Sequence, residues 1–236
     1  MAGSVARMED VHFSWPGRNS FAFKIRNFAL GAGERLLLIG PSGGGKSTFL
    51  SLLCGILVPG GGRIEILGTD LVALSGPARD GFRAEHFGII FQMFNLLPYG
   101  SILDNVMLPL SFARGRRERT ERKGAPEDEA RRLLQSLGLD AAEFGSLSAA
   151  NLSVGQQQRV AAARALIGGP ELIVADEPTS ALDRNRQLAF LDLLFAEAGV
   201  AGASVIMVSH EEQLGSRFDK VLRLDEIAVS ERSAAA

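Results

Sequence analysis

The chain has 236 residues, 46% of them hydrophobic, enough to bury the core of one large α/β domain or of a domain with a subdomain. Its 25 basic and 27 acidic residues leave a formal net charge of -2, so no global field draws it to nucleic acid or to an anionic membrane surface, and no nucleic-acid partner is expected. Cys54 is the single cysteine, which excludes an intrachain disulfide; Arg7, Glu9 and Asp10 precede any long apolar stretch, and no uninterrupted run reaches about 18 apolar residues, so the composition predicts a soluble, cytoplasmic chain with neither a secretory signal nor a membrane-spanning helix.

From the N-terminus, Val11, Phe13 and Trp15, then Phe21, Phe23, Ile25 and Phe28, alternate about Pro16-Gly17-Arg18-Asn19, the pattern of a β-hairpin. Arg35-Leu36-Leu37-Leu38-Ile39 reads as a buried strand and Ser47 to Gly55 as the helix that follows, with Cys54 a small apolar packing residue on it. Between them stands Gly40-Pro41-Ser42-Gly43-Gly44-Gly45-Lys46-Ser47-Thr48, a full match to the G-x-x-x-x-G-K-[ST] phosphate loop in its strand–turn–helix setting. Glycines permit backbone angles closed to residues with a Cβ, so successive N–H groups can surround the α- and β-phosphates. Lys46 is then expected on the β- and γ-phosphates and the Ser47 hydroxyl on Mg²⁺. The competing reading is a glycine-rich turn that binds nothing; four glycines, the lysine and two hydroxyls in register weigh against it.

Arg63-Ile64-Glu65-Ile66-Leu67-Gly68 alternates after Gly60-Gly61-Gly62 and is predicted to join the same antiparallel sheet as the hairpin. From about 93 to 168 helical patterns dominate, including Ala130, Leu133, Leu134 and Leu137 at helical spacing within Glu127 to Gly138. The charges from Arg114 to Arg132 form a basic run closely followed by acids, with no interleaved aromatics, and read as a solvated loop and helix face rather than a nucleic-acid or lipid patch. Asn151-Leu152-Ser153-Val154-Gly155-Gln156 opens an alanine-rich helix; Ser153 and Gly155 there suit an anion site made of backbone N–H groups, a helix cap, or both, since the two use the same donors. Leu172 to Ala175 is a continuous apolar strand ending in Asp176 and Glu177, and Ser204 to Val208 is a second, ending near His210. An acid at the carboxyl end of a parallel strand lies where ligands collect. Asp176 is therefore expected on Mg²⁺ and Glu177 beside the attacking water, the alternative being that both cap a helix. The Ser233 to Ala236 tail is the one low-complexity segment.

The order of these elements resembles the ATP-binding subunits of ABC transporters over nearly the whole chain: the phosphate loop at 40 to 47, Gln92, Leu152 to Gln156, Leu172 to Glu177, Ser180-Ala181-Leu182-Asp183, and His210. The resemblance implies an α/β P-loop NTPase of ABC type, with a mostly parallel core sheet and a small antiparallel β-subdomain from about 1–92 and 169–236, and a helical subdomain inserted at about 93–168. It implies that Gln92 touches Mg²⁺ and the attacking water and relays nucleotide state to a membrane partner. Leu152 to Gln156 looks like the family's LSGGQ signature, whose Ser153, Gly155 and Gln156 would bind the γ-phosphate of ATP held by a second copy. Asp183 resembles the acid of the dimer seam, His210 the histidine on the γ-phosphate, and Trp15 the aromatic that stacks on adenine, with Phe13 the competing candidate. Implied partners are a second copy packed head to tail and a transmembrane permease, at the cytoplasmic face of the cell membrane.

Two departures stand out. Val154 replaces the first glycine of LSGGQ; a β-branched residue would be strained at positive φ, so that position is expected to be free of it. Trp15 stands where relatives more often carry tyrosine, which keeps a stacking face. The segment from Gln92 to Tyr99, continuing through Asp104 to Pro109, is similar to the lipoprotein-release and macrolide-exporter branch. Three other readings share the phosphate loop: a regulatory member acting on a cell-envelope enzyme through a membrane partner, a non-transport ABC ATPase, and a small-molecule kinase. The last leaves Leu152 to Gln156 and His210 unexplained, and no heptad run supports a non-transport member with long coiled-coil insertions.

Overall fold

The computed structural model describes residues 3–15, 21–140 and 147–232; the expected turn at 16–19 and the 233–236 tail lie outside them. The fold is α/β, with one antiparallel and one parallel sheet. The chain divides into two compact units, 1–83 with 206–236, and 84–205.

In the first unit β1 (Ser4–Trp15) and β2 (Phe21–Gly31) form the expected hairpin, and β4 (Gly61–Ile66) pairs with β1 on its other side. The antiparallel sheet runs β10-β2-β1-β4-β5, with β5 at Thr69–Asp70 and β10 at Ala228–Arg232. Ala6 and Met8 are buried between exposed Arg7 and Glu9, but beyond Asp10 the inward set shifts to Val11 and Phe13. The cause is a β-bulge: the register against β4 slips between Glu9↔Arg63 and His12↔Gly61, and Asp10 takes φ 47°. Gly62 sits opposite at φ 90°, where a Cβ would lie 2.4 Å from the Asp10 carbonyl oxygen, so only glycine fits there. The same unit holds β3 (Arg35–Ile39), parallel to β9 (Lys220–Arg223) and flanked on its other side by β8 (Ser204–Ser209) from Ile206 onward.

In the second unit β6 (Phe87–Ile90) and β7 (Leu172–Asp176) pair in parallel, Phe87↔Leu172 through Ile90↔Ala175. Helices span Ile102–Met107, Arg114–Glu121, Pro126–Ser136, Val154–Leu166 and Arg184–Ala201. The apolar stripe predicted between 127 and 138 is the buried face of the third, where Ala130, Leu133 and Leu134 face the core. Most of the charged run is solvated, in ion pairs such as Arg114–Glu118 at 2.7 Å and Arg131–Glu127 at 2.6 Å.

Arg116 departs from that reading: it is buried, and its guanidinium donates to the carbonyls of Ile167, of Phe87 at 2.9 Å and of Ala165 at 2.9 Å. Two of these acceptors lie at the end of the Val154–Leu166 helix, where the last carbonyls have no partner within the helix. Arg116 is thus a C-terminal cap supplied by another helix, and burial pushes its guanidinium down to about 10. Arg116→Met should orphan these acceptors and lower stability by about 2–5 kcal/mol, read as a shift of the urea midpoint. Arg116→Lys should recover less than half of that, because an ammonium does not span three carbonyls.

Candidate functional site

The first unit carries the phosphate loop. β3 delivers the chain to Gly40, and the Lys46–Leu53 helix is anchored by buried Phe49, Leu50, Leu52 and Leu53. Gly43 and Gly45 take φ 72° and 103°, a conformation a side chain would resist, and Gly44 N–H closes the loop onto the Pro41 carbonyl at 3.1 Å. Gly45 is the helix N-cap, and no side chain caps the first turn. The loop therefore presents backbone N–H groups and the positive end of a helix dipole. Lys46 is only 6% exposed, and its ammonium reaches the carbonyls of Gly40 at 2.8 Å and Pro41 at 3.1 Å. This holds its positive charge against the loop itself.

Trp15 ends β1 with its indole N–H 3.5 Å from the hydroxyl of Thr48 on that helix. Phe13 meets it edge to face, with ring centroids 5.2 Å apart. Trp15 is 44% exposed whereas Phe13 is half-buried, so Phe13 braces the indole and leaves the larger face open to a ligand. His210 is exposed immediately after β8, the strand beside β3.

The second unit carries the carboxylates. Asp176 closes β7, and Glu177, half-buried, takes φ 43°, an uncommon state for a residue with a side chain. Two buried glutamines hold the turn behind it: Gln158 donates to the Pro178 carbonyl at 3.0 Å and Gln187 to the Thr179 carbonyl at 3.1 Å. Strain at Glu177 is thus tied down on its C-terminal side. Neither glutamine stood out in the sequence; Gln158 was hidden in a run of three, of which it alone is buried. The Ile90↔Ala175 register places Gln92 and Glu177 just beyond the same end of neighbouring strands. Gln92 is exposed.

Ser153 caps the Val154–Leu166 helix through a capping box: its N–H donates to the Gln156 side chain at 2.8 Å, and its hydroxyl accepts from the Gln156 N–H at 3.4 Å. Val154 is the first helical residue and is not at positive φ, so the valine is unstrained, as expected. Ser153, Gly155, Gln156 and Arg159 line a cleft of about 540 Å³ with Leu182 and Arg186. Asp183 is the N-cap of the Arg184–Ala201 helix, accepting from the Arg186 N–H at 3.1 Å and pairing with the Arg186 guanidinium at 3.2 Å. Its exposed carboxylate is therefore oriented by its own helix.

A left-handed glycine loop feeding an uncapped helix, with a lysine folded against it, defines a P-loop nucleotide-binding protein. Residues 23–180 match the family described as ABC transporter, and the chain belongs to that family. It is 42% identical over 192 residues to the uncharacterized ABC transporter ATP-binding protein YbbA of Escherichia coli (strain K12), covering 81% of each chain. It is 38% identical over 229 residues to the lipoprotein-releasing system ATP-binding protein LolD of Novosphingobium aromaticivorans, covering 96% of this chain and 98% of that one. Among solved structures, the dimeric post-hydrolysis state of the ATP-binding cassette MJ0796 bound to ADP and Pi superposes with a TM-score of 0.78 at 30% identity, over 92% of this chain and 93% of that one. The protein is an ABC ATPase and binds ATP. No helix among the described residues is long and apolar enough to cross a membrane.

Lys46→Ala removes the charged donor from the loop and should weaken ATP binding by about tenfold or more in titration calorimetry, from the roughly 1.5–3 kcal/mol of a charge-assisted bond. Because Trp15 is the one tryptophan of the chain, ATP should change the intrinsic emission, and Trp15→Phe should abolish that signal while leaving binding measurable by calorimetry.

Proposed function

We propose that this protein is the ATP-hydrolysing subunit that powers a membrane permease of the lipoprotein-release and macrolide-exporter type, working as a head-to-tail pair at the cytoplasmic face of the cell membrane. The observation that carries the reading is that one chain bears two helix N-termini suited to phosphate, one uncapped after Gly45 and one at Ser153 opening onto its own cleft. In this reading the first holds the chain's own ATP and the second completes the site of a partner copy. The dimeric MJ0796 cassette and the LolD relative support it.

Lys46 and the loop N–H groups neutralise the phosphates, and Trp15 stacks on the base. Ser47, Gln92 and Asp176 carry hydroxyl, amide and carboxylate oxygens, hard donors that would suit Mg²⁺, which takes few protein ligands and completes its shell with phosphates and water. Such an ion would neutralise the charge that develops on the transferred phosphoryl group. Glu177 orients the attacking water and accepts its proton, and the turn held by Gln158 and Gln187 fixes the direction of that carboxylate. His210 donates to the γ-phosphate, and Asp183 lines the seam between copies. Because Ser153, Gly155 and Gln156 of one copy meet the γ-phosphate on the other, closure of the pair follows nucleotide state by differential affinity. Met93 and Tyr99, 80% and 84% exposed, offer apolar surface to the permease.

Glu177→Gln should bind ATP with affinity close to that of the parent, lose hydrolysis by about 10²–10⁴-fold, and accumulate as a dimer in size-exclusion chromatography with light scattering. A monomer saturated with ATP would count against the shared pocket.

A further inference from the structure

Arg164 lies in the last turn of the Val154–Leu166 helix, 8% exposed, and donates to the carbonyls of Asn95 at 2.8 Å and of Phe94. Among the described residues no carboxylate pairs with it, and burial alone holds its guanidinium below the usual range. A buried cation without a countercharge is costly to keep. What it holds is also costly: Phe94 and Asn95 are consecutive non-glycine residues at φ 57° and 49°, in a turn closed by Phe94 N–H to Phe91 at 2.9 Å and Asn95 N–H to Met93 at 2.6 Å. Gln92 and Met93 sit inside that turn. Two residues past Asn95, the N–H and the carbonyl of Leu97 both bond the buried Asn105 side chain, at 2.7 and 3.1 Å, so the segment is pinned at two points.

The helix that carries Arg164 starts at the Ser153 cap, and eleven residues at about 1.5 Å each put roughly 16 Å of rigid rod between the two. We infer that Arg164 is a positioning residue that makes the Gln92–Met93 turn move as one body with the Ser153 end of the helix, so that engagement of Ser153 by a partner's nucleotide is delivered to that turn. The inference rests on the paired-copy reading given above. It extends that reading by naming the bond through which engagement at one end is felt at the other. A guanidinium suits the task because its planar fork meets two carbonyls at once, fixing orientation as well as distance.

The test uses the full chain carrying Glu177→Gln, with a nitroxide on Met93→Cys; position 93 is exposed and Cys54 is buried, so the label reports on the turn. Added ATP should produce a dimer by light scattering and a changed spectrum at position 93. With Arg164→Met the spectral change should be lost at matched dimer fraction, while ATP affinity stays within about twofold because the phosphate loop is untouched. Arg164→Lys keeps the charge but not the fork, should regain only part of the change, and serves alone if the methionine variant does not fold. A purely structural role would instead lower the melting temperature and leave the ATP-driven change intact in the folded fraction. An undiminished change in the folded variant overturns the link, as does a parent that dimerises without any response at position 93. A parent that binds ATP yet stays monomeric removes the paired-copy reading, and the link with it.

Discussion

Carbonyl oxygens turned inward at the ends of helices and strands must meet a donor, and in the second unit nearly every functional loop is placed by the side chain that meets this demand. Arg116 closes the end of the Val154–Leu166 helix, Arg164 takes the carbonyls after Gln92, and Gln158 and Gln187 take those after Glu177. Each is a long polar side chain brought indoors by a helix; those that carry Arg164, Gln158 and Gln187 also bury apolar side chains, whereas the helix of Arg116 buries only that arginine and Thr120. A buried acceptor left unmet costs about as much as a core cavity, so these contacts are stiff. That stiffness suits the proposed action of Gln92 and Glu177 on a phosphoryl group, where small misplacements are expensive.

The first unit solves the opposite problem. Its loop has to offer donors to an anion, so side-chain caps are absent and glycines let the backbone turn without filling the concavity. One unit hides its carbonyls and the other displays its amides. Both follow from the same scarcity of water at a buried backbone.

Much of this was legible beforehand. The phosphate loop, the strands that precede it and end in Asp176, the hairpin and the Ser153 helix start all rest on local signals: alternation, continuous apolar runs, glycine spacing and capping residues. The valine at 154 was readable because a β-branched residue excludes positive φ. The tertiary side chains were not readable. Arg116 stood in a run of arginines whose neighbours are solvated, and Gln158 in a run of glutamines, with nothing local to mark which one turns inward. Nor did the sequence announce left-handed angles at Phe94, Asn95 and Glu177, since these are imposed by distant donors and not by the residues themselves. Local chemistry writes the elements; the long-range bonds that aim the turns after Gln92 and Glu177 become visible only once the chain is folded.

The single extra residue at Asp10 has a reach beyond its own strand. Because it changes which parity faces inward, Phe13 and Trp15 share a side with Met8 although they lie an odd number of positions (five and seven) after it. Straightening the bulge with every residue kept would turn His12 and Ser14 to the interior and swing the indole off Thr48, whereas deleting Asp10 would leave Val11, Phe13 and Trp15 in regular alternation with Met8. The placement of Phe13 and Trp15 is thus set by a counting irregularity at Asp10, five positions before the indole, and Gly62 on the neighbouring strand is the residue that makes room for it.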